Sequence, residues 1–319
     1  MYQVIVNPSA RSGRGRRNWE KVKYVLDDNG AEYDVHFTGK HGDAANYAKE
    51  LYEACQATHT RLELMVLGGD GTLNEVIQGL PSFENVSISC IPVGSSNDLA
   101  RAIGISFTIE EAVLHLLTKP TTLFMDVGVV HLENSLVREG NMTIPDRKFL
   151  VSSGVGYDAS ICHEALQSSV KNFFNKLGLG KLSYLAICLK QLISMKTVTA
   201  EISLDDDDTI ITINKLIFIA AMNNLYEGGG LMFAPDANNH DGILDIVIAA
   251  NISKPRVLQI LPSTIKGEQF KYNGTSHYKA YKCAIRTSLP LWTHTDGEVE
   301  TKADFIEFKS LKEAIRIVY

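Results

Sequence analysis

The sequence predicts a two-domain chain, a mostly parallel α/β half followed by a half that is predominantly antiparallel β. Three observations carry that expectation. Up to Lys119-Pro120, apolar runs alternate with segments of helical spacing, the pattern of a parallel sheet with crossover helices. Beyond that point β-branched runs follow one another with few helices between them. The length, 319 residues, exceeds what one hydrophobic core usually organises.

Tyr2 to Val6 reads as a strand, and Asn7-Pro8-Ser9-Ala10-Arg11-Ser12-Gly13-Arg14-Gly15 as a loop of turn formers, hydroxyls and basic residues, suited to facing phosphate or to lying bare on the surface. Trp19, Val22, Val25 and Leu26 mark an amphipathic helix that closes near Asn29-Gly30. Tyr33 to Phe37 alternates as a strand, Thr38 to Asp43 turns, and Ala44, Ala45, Ala48 and Leu51 place a helix.

Leu64-Met65-Val66-Leu67 then runs into Gly68-Gly69-Asp70-Gly71-Thr72-Leu73-Asn74-Glu75-Val76. The order is strand, glycine turn, helix. Glycines admit close approach of a ligand, and the amides of the following helix favour negative charge, so phosphate is the natural guest. Asp70 would repel phosphate unless a cation intervenes, which points to Mg2+ shared with a nucleotide; a simple helix cap is the alternative. The turn has no lysine after its glycines, which separates it from a P-loop. Ser87 to Val93 followed by Gly94-Ser95-Ser96-Asn97-Asp98 repeats the arrangement, so two phosphate-type turns share the carboxyl edge of one sheet.

In the second half Phe124 to Val130, Phe149 to Ser152, Ala200 to Leu204, Ile210 to Ala221, Leu244 to Ala249 and Tyr278 to Thr287 read as strands. Asp205 to Asp208 reads as a solvated turn rather than a Ca2+ loop, because ligand spacing is absent. One helical region, about Asp158 to Met195, interrupts the strands. Its Phe173, Phe174, Leu177 and Lys181 suit either contact with an anionic membrane surface or packing with snorkelling lysines.

The net charge of -6 provides no field that would recruit nucleic acid, and no nucleic-acid motif is present. The five cysteines are widely spaced without C-x-x-C, which fits a reducing compartment. The first residues lack the layout of a signal peptide, and no apolar run is long enough to span a bilayer. The expectation is a cytoplasmic protein, peripherally membrane-associated when acting on lipid.

The motifs together resemble the diacylglycerol kinase catalytic family of soluble bacterial lipid kinases, related to sphingosine kinases and more distantly to NAD kinases and 6-phosphofructokinases. The matching pieces are Asn7-Pro8 with Ser12-Gly13, Thr38 with Gly42-Asp43-Ala44, the Gly68 and Gly94 turns, Gly154-Val155-Gly156-Tyr157-Asp158-Ala159, Gly228-Gly229-Gly230 with Pro235-Asp236-Ala237, Asp241-Gly242-Ile243, and Asp296-Gly297-Glu298. The resemblance implies an NAD-kinase/phosphofructokinase-like α/β domain over residues 1–124 with a returning segment 305–319. It implies an all-β sandwich over 125–304 that carries the acceptor site, with ATP in the cleft.

Carried over by position, ATP would be held by Asn7, Pro8, Ser9, Ala10, Arg11, Thr38, Gly68, Gly69, Asp70, Gly71, Thr72, Leu73, Asn74 and Ser95. Ser95 stands where the family usually has Thr and keeps the hydroxyl. Arg11 or Arg14 supplies the charge that relatives often provide with a lysine. The proton acceptor maps to Glu298, with Asp296 as neighbour or competitor and Asp70 on the nucleotide side. Asn238, Asp241 and Ile243 resemble a second metal position for Mg2+ or Ca2+. His240 and His294 lack metal-ligand partners at meaningful spacing, and neither is assigned a role. The expected reaction is transfer of the γ-phosphate of ATP to a lipid hydroxyl, diacylglycerol giving phosphatidic acid. The alternatives are an NAD kinase-like enzyme for a soluble acceptor and a non-catalytic lipid- or nucleotide-binding regulator. An edge strand of the β domain leaves room for a homodimer.

Overall fold

The computed structural model describes residues 1–135, 144–167, 180–207 and 209–319. β1 (Tyr2–Val6), β2 (Tyr33–Phe37), β3 (Leu62–Gly68) and β4 (Val86–Pro92) are parallel, in the order β2-β1-β3-β4. Six helices connect or follow these strands: α1 (Ala10–Gly13), α2 (Gly15–Asp28), α3 (Asp43–Ala57), α4 (Asp70–Gly79), α5 (Asp98–Ile103) and α6 (Ile109–Thr118). Leu64, Met65, Val66 and Leu67 on β3 are all fully buried, as a central strand covered on both faces requires. Trp19, Val22, Val25 and Leu26 turn the apolar face of α2 into the same core.

The segment Asn7 to Gly15, expected as a loop, instead contains the helical turn α1. Gly13 N–H donates to Ser9 O (3.1 Å) and Arg14 N–H to Ala10 O (3.1 Å), which closes it. Gly15 is obligatory, because a Cβ there would lie 2.0 Å from Asn7 O.

β5 (Thr122–Glu133) opens the second half, followed by β6 (Arg147–Phe149), β7 (Ser152–Gly156), α7 (Tyr157–Gln167) and α8 (Gly180–Ser194). Then come β8 (Val198–Leu204), β9 (Ile211–Met222), β10 (Tyr226–Glu227), β11 (Leu231–Met232), β12 (Leu244–Ala250), α9 (Lys254–Ile260), β13 (Thr275–Ala280), β14 (Lys282–Thr295) and β15 (Glu298–Val318). The long strands β9 and β14 each pair with β8 at one end and with β7 at the other. A strand that changes partner midway folds the sheet over itself into two layers. Val155, Ile219, Ile246, Ile285, Ile306 and Phe308 fill the space between them.

β15 joins the halves. It pairs antiparallel with β5 from Phe305 to Val318, and its Arg316 and Ile317 lie parallel to Ser87 and Ile88 of β4. The register shifts between Leu311 and Ile315, where Glu313 takes φ 47° and its N–H donates to the buried Asp126 Oδ1 (2.6 Å).

Tyr278 to Thr287, expected as one strand, is broken at Tyr281. Asp205 Oδ1 accepts from Tyr281 N–H (2.8 Å) and Lys282 N–H (3.2 Å), so a side chain from the neighbouring turn replaces the ladder partner. Asp205 itself turns with φ 56°. Phe173, Phe174 and Leu177, and the side chain of Lys181, lie outside the described residues, as does Asp208. Among the described residues no helix is long and apolar enough to cross a membrane.

Candidate active site

The two glycine turns touch. A Cβ on Gly94 would lie 2.5 Å from Gly69 Cα, and one on Gly69 would lie 2.9 Å from Gly94 Cα. Only glycine at both positions lets the ends of β3 and β4 approach this closely. Val93 N–H donates to Gly68 O (3.0 Å), and Asn97 locks the second turn by accepting from Gly94 N–H (2.9 Å) and donating to Gly94 O (3.1 Å). The first loop joins them through Asn7, whose Nδ2 donates to Thr72 Oγ1 (2.9 Å) and whose Oδ1 accepts from Ser9 N–H (3.0 Å). Thr38 N–H donates to Val6 O (2.9 Å), placing it at the same carboxyl edge. Ser95 is exposed on the second turn. The expected residues Asn7 to Arg11, Thr38, Gly68 to Leu73 and Ser95 thus cluster at the carboxyl ends of β1 to β4.

Asp70 stands at the start of α4, but its carboxylate turns to the neighbouring helix. It accepts from Asp98 N–H (3.0 Å) and Leu99 N–H (3.3 Å), capping α5. Burial lifts its proton affinity first, the two amides oppose this, and the charges of Asp98 and Asp296 add to it, so its pKa is pushed up to about 6. Asp98, which sequence reasoning passed over as a site residue, is buried, and Gly229 N–H donates to its Oδ2 (2.8 Å). Its Oδ1 is buried with no hydrogen-bond partner among the described residues. Burial also raises the Asp98 pKa, against the amides of Gly229 and Gly230 and with the charge of Glu227.

The Asp296-Gly297-Glu298 turn comes from the other half. Asp296 takes φ 49°, and its carboxylate accepts from Leu150 N–H (3.0 Å), Val151 N–H (2.8 Å), Ser152 N–H (3.1 Å) and Asn74 Nδ2 (2.9 Å). A carboxylate surrounded by four donors anchors structure and is poorly placed to take up a substrate proton. Asn74, expected at the nucleotide, completes this bridge. Its Nδ2 also donates to Lys148 O (3.2 Å), and its Oδ1 accepts from Gln78 Nε2 (3.2 Å).

Glu298 points elsewhere. A Cβ on Gly71 would lie 2.6 Å from Glu298 Oε1, so this carboxylate sits directly against the first glycine turn. Residues 227 positions apart in sequence are therefore brought together, one from each half. A carboxylate in this position can accept the proton of a hydroxyl presented to a phosphate held on the turn.

Asn238, Asp241 and Ile243 share one turn, in which Asp241 Oδ1 accepts from Ile243 N–H (2.9 Å). Asp126 fastens this turn, accepting from Gly242 N–H (2.6 Å) and donating its own N–H to Asn239 O (2.7 Å). His294, set aside at the sequence level, is fully buried beside the site, within 3.3 Å of Asp158 Oδ2 and 3.4 Å of Glu227 Oε1.

Comparison with known proteins agrees with this architecture. The profile of the diacylglycerol kinase catalytic domain matches residues 1–130, and that of the YegS C-terminal NAD kinase beta sandwich-like domain matches residues 151–318. The chain is 25% identical over 302 residues to a diacylglycerol kinase of Bacillus subtilis (strain 168), covering 93% of this chain and 89% of the relative. It is 26% identical over 317 residues to a diacylglycerol kinase of Staphylococcus saprophyticus, covering 99% and 94%. A solved structure of a diacylglycerol kinase from Bacillus anthracis str. Sterne superposes with a TM-score of 0.69 at 20% identity, covering 100% of this chain and 96% of that one, a likeness of fold. With both halves matched in order, the chain belongs to the diacylglycerol kinase catalytic family, and the two relatives carry the name diacylglycerol kinase.

Proposed function

We propose that this protein is an ATP-dependent lipid kinase that transfers the γ-phosphate of ATP to a lipid hydroxyl, with diacylglycerol as acceptor and phosphatidic acid as product. The observation that carries the reading is the Glu298 carboxylate against Gly71, an acceptor-side base placed on a phosphate-type turn. In this reading the first turns of β1, β3 and β4 and the N-terminal amides of α4 hold the phosphates. Glu298 orients the acceptor hydroxyl and takes its proton as the oxygen attacks the γ-phosphate. Asp296 and Asn74 keep the two halves in register for that approach.

The unpartnered buried Oδ1 of Asp98, beside an Asp70 whose proton affinity is raised by burial and then by the charges of Asp98 and Asp296, offers oxygen donors suited to a hard cation. Asp70 and Asp98 would hold Mg2+. When bound, it would neutralise charge on the ATP phosphates. Asn238, Asp241 and Ile243 would hold a second Mg2+ away from the reaction.

The acceptor is insoluble, so the protein would work on a membrane surface. Leu166 on α7 and Ile193 on α8 are exposed on the helical region expected to meet it. The test is transfer of label from ATP to a panel of lipids in mixed micelles with Mg2+. The expected result is phosphatidic acid from diacylglycerol, lost in Glu298→Gln. Formation of NADP from NAD, or no lipid-dependent transfer, would overturn the reading. Phe173→Asp with Phe174→Asp should reduce flotation with anionic liposomes while leaving transfer in detergent micelles intact.

A further inference from the structure

A ring of contacts encircles the candidate site. Asp70 caps α5 through the amides of Asp98 and Leu99, and Asp98 accepts from Gly229 N–H. Two residues before Gly229, Glu227 reaches His294, and His294 meets Gly297 N–H, the amide between Asp296 and Glu298. Glu298 returns to Gly71, next to Asp70. Every member except His294 is a carboxylate or a backbone amide.

The imidazole has two distinct partners. Gly297 N–H donates to its Nδ1 (3.2 Å), so Nδ1 offers a lone pair and the ring hydrogen resides on Nε2. Nε2 lies 3.3 Å from Asp158 Oδ2 and 3.4 Å from Glu227 Oε1, between two carboxylates that would otherwise face each other. Gly154 makes the space, since a Cβ there would lie 1.9 Å from Asp158 Oδ2 and 2.5 Å from His294 Nε2.

The three ligand atoms also lie close enough together to hold a metal ion. A metal on Nε2 would require the hydrogen on Nδ1, where it would meet the Gly297 N–H head on. The hydrogen-bond pattern therefore favours a proton bridge over a metal centre. We propose that His294 is a positioning residue: its neutral Nε2–H form ties Asp158 and Glu227 to the Asp-Gly-Glu turn and so aims the Glu298 carboxylate at the phosphate turn. This rests on the kinase reading above.

The groups facing the ring are Asp158 and Cys162 from α7 and Glu227 from β10. On its own turn the Asp296 carboxylate is directed to Asn74 and the amides of Leu150, Val151 and Ser152, and Glu298 to Gly71. Burial holds the Cys162 thiol up at about 11, so it stays neutral. Burial lowers the proton affinity of the His294 ring, but Cys162, Asp158 and Glu227 raise it well above the usual histidine range, and burial raises that of Asp158 as well, so ring and carboxylate compete for one extra proton. The Gly297 N–H on Nδ1 decides the competition, because only a proton held on Asp158 leaves that contact intact. A second proton on the ring itself would occupy Nδ1 and release Gly297.

Two readouts test the proposal. Nitrogen-15 NMR of histidine-labelled protein, with the signal assigned by its loss in His294→Asn, should show an unprotonated Nδ1 and a protonated Nε2 at neutral pH. This signal is read without turnover, so a wild-type chain that transfers no phosphate to lipid sinks the kinase reading and leaves the tautomer result standing. In lipid transfer, His294→Gln keeps a donor near the Nε2 position and loses the Gly297 acceptor, and should lower kcat about 10²-fold with KM for ATP unchanged. Asn places an oxygen near the Nδ1 position, so His294→Asn should recover much of that kcat and should lack the wild-type acid limb. Glu227→Gln, which keeps the histidine, should move the acid limb to lower pH, because one charge favouring the imidazolium is gone. A protonated Nδ1 at neutral pH, an acid limb unmoved in Glu227→Gln, or stoichiometric Zn2+ or Mn2+ binding by calorimetry that His294→Asn abolishes would overturn the proposal.

Discussion

The two carboxylates of one turn, two positions apart, have opposite environments. Asp296 is saturated by three backbone amides and Asn74, whereas Glu298 lies on a glycine turn of the other half. Asp296→Ala orphans buried donors and should cost about 3 kcal/mol or more in urea unfolding. Glu298→Gln should stay within about 0.5 kcal/mol of wild type in the same experiment while abolishing transfer. Asp70 adds a pH dependence. The unfolded chain loses that proton near 3.8, and the folded chain holds it to about 6. Between those values the folded state binds more protons, so stability falls as pH rises, by up to about 3 kcal/mol at neutral pH. Calorimetry of the metal-free protein should show a shallower fall across this window in Asp70→Asn. The residue types were legible in sequence, their orientations less so. Asp70 was expected to share a cation with a nucleotide or to cap a helix, and the helix it caps is α5 rather than its own; the alternatives of Asp296 and Glu298 separate only once β6 and β7 are placed. His294 was set aside for want of partners nearby in sequence, and Asp158 and Glu227 reach it only through tertiary packing.

At the scale of elements, the glycine turns are the best example of what sequence conveys. Their strand-turn-helix order follows from local periodicity, and the structure adds that the turns touch. Gly94→Ala would push a methyl into Gly69 Cα and should cost about 1–3 kcal/mol while raising KM for ATP. Since Gly69→Ala acts on the same contact, the double variant should fall short of the sum, as thermal unfolding would show. Two element-level expectations failed for identifiable reasons. Residues 7–15 carry turn formers, but Ala10 to Gly13 still closes a helical turn, and Gly15 lets the chain that follows lie against the Asn7-Pro8 backbone. The strand from Tyr278 ends early because Asp205, 76 positions away from Tyr281, takes over its amide.

At the scale of the molecule, the halves share backbone and core. Ile315 and Ile317 of β15 are fully buried in the core of the α/β half, while Ile306 and Phe308 of the same strand belong to the β half. Removing residues 312–319 would strip two core side chains and expose an edge of β4. Limited proteolysis of that truncation should cut the α/β half first, well before the wild-type chain is cut. The two-domain architecture was readable from the change of texture after Lys119-Pro120; the strand common to both halves obeys no local rule and shows only in the pairing.

That strand has a mechanical meaning. β15 starts at Glu298, against the Gly68 turn, and ends beside β4, which leads into the Gly94 turn. A displacement of the β half would therefore be carried along this one strand to the edge of the α/β sheet. The register shift near Glu313, held by Asp126, is its fulcrum. Asp126 also fastens the turn of Asn238 to Ile243, so a cation seated in that turn would grip the fulcrum rather than the reaction, and would set how freely the cleft swings.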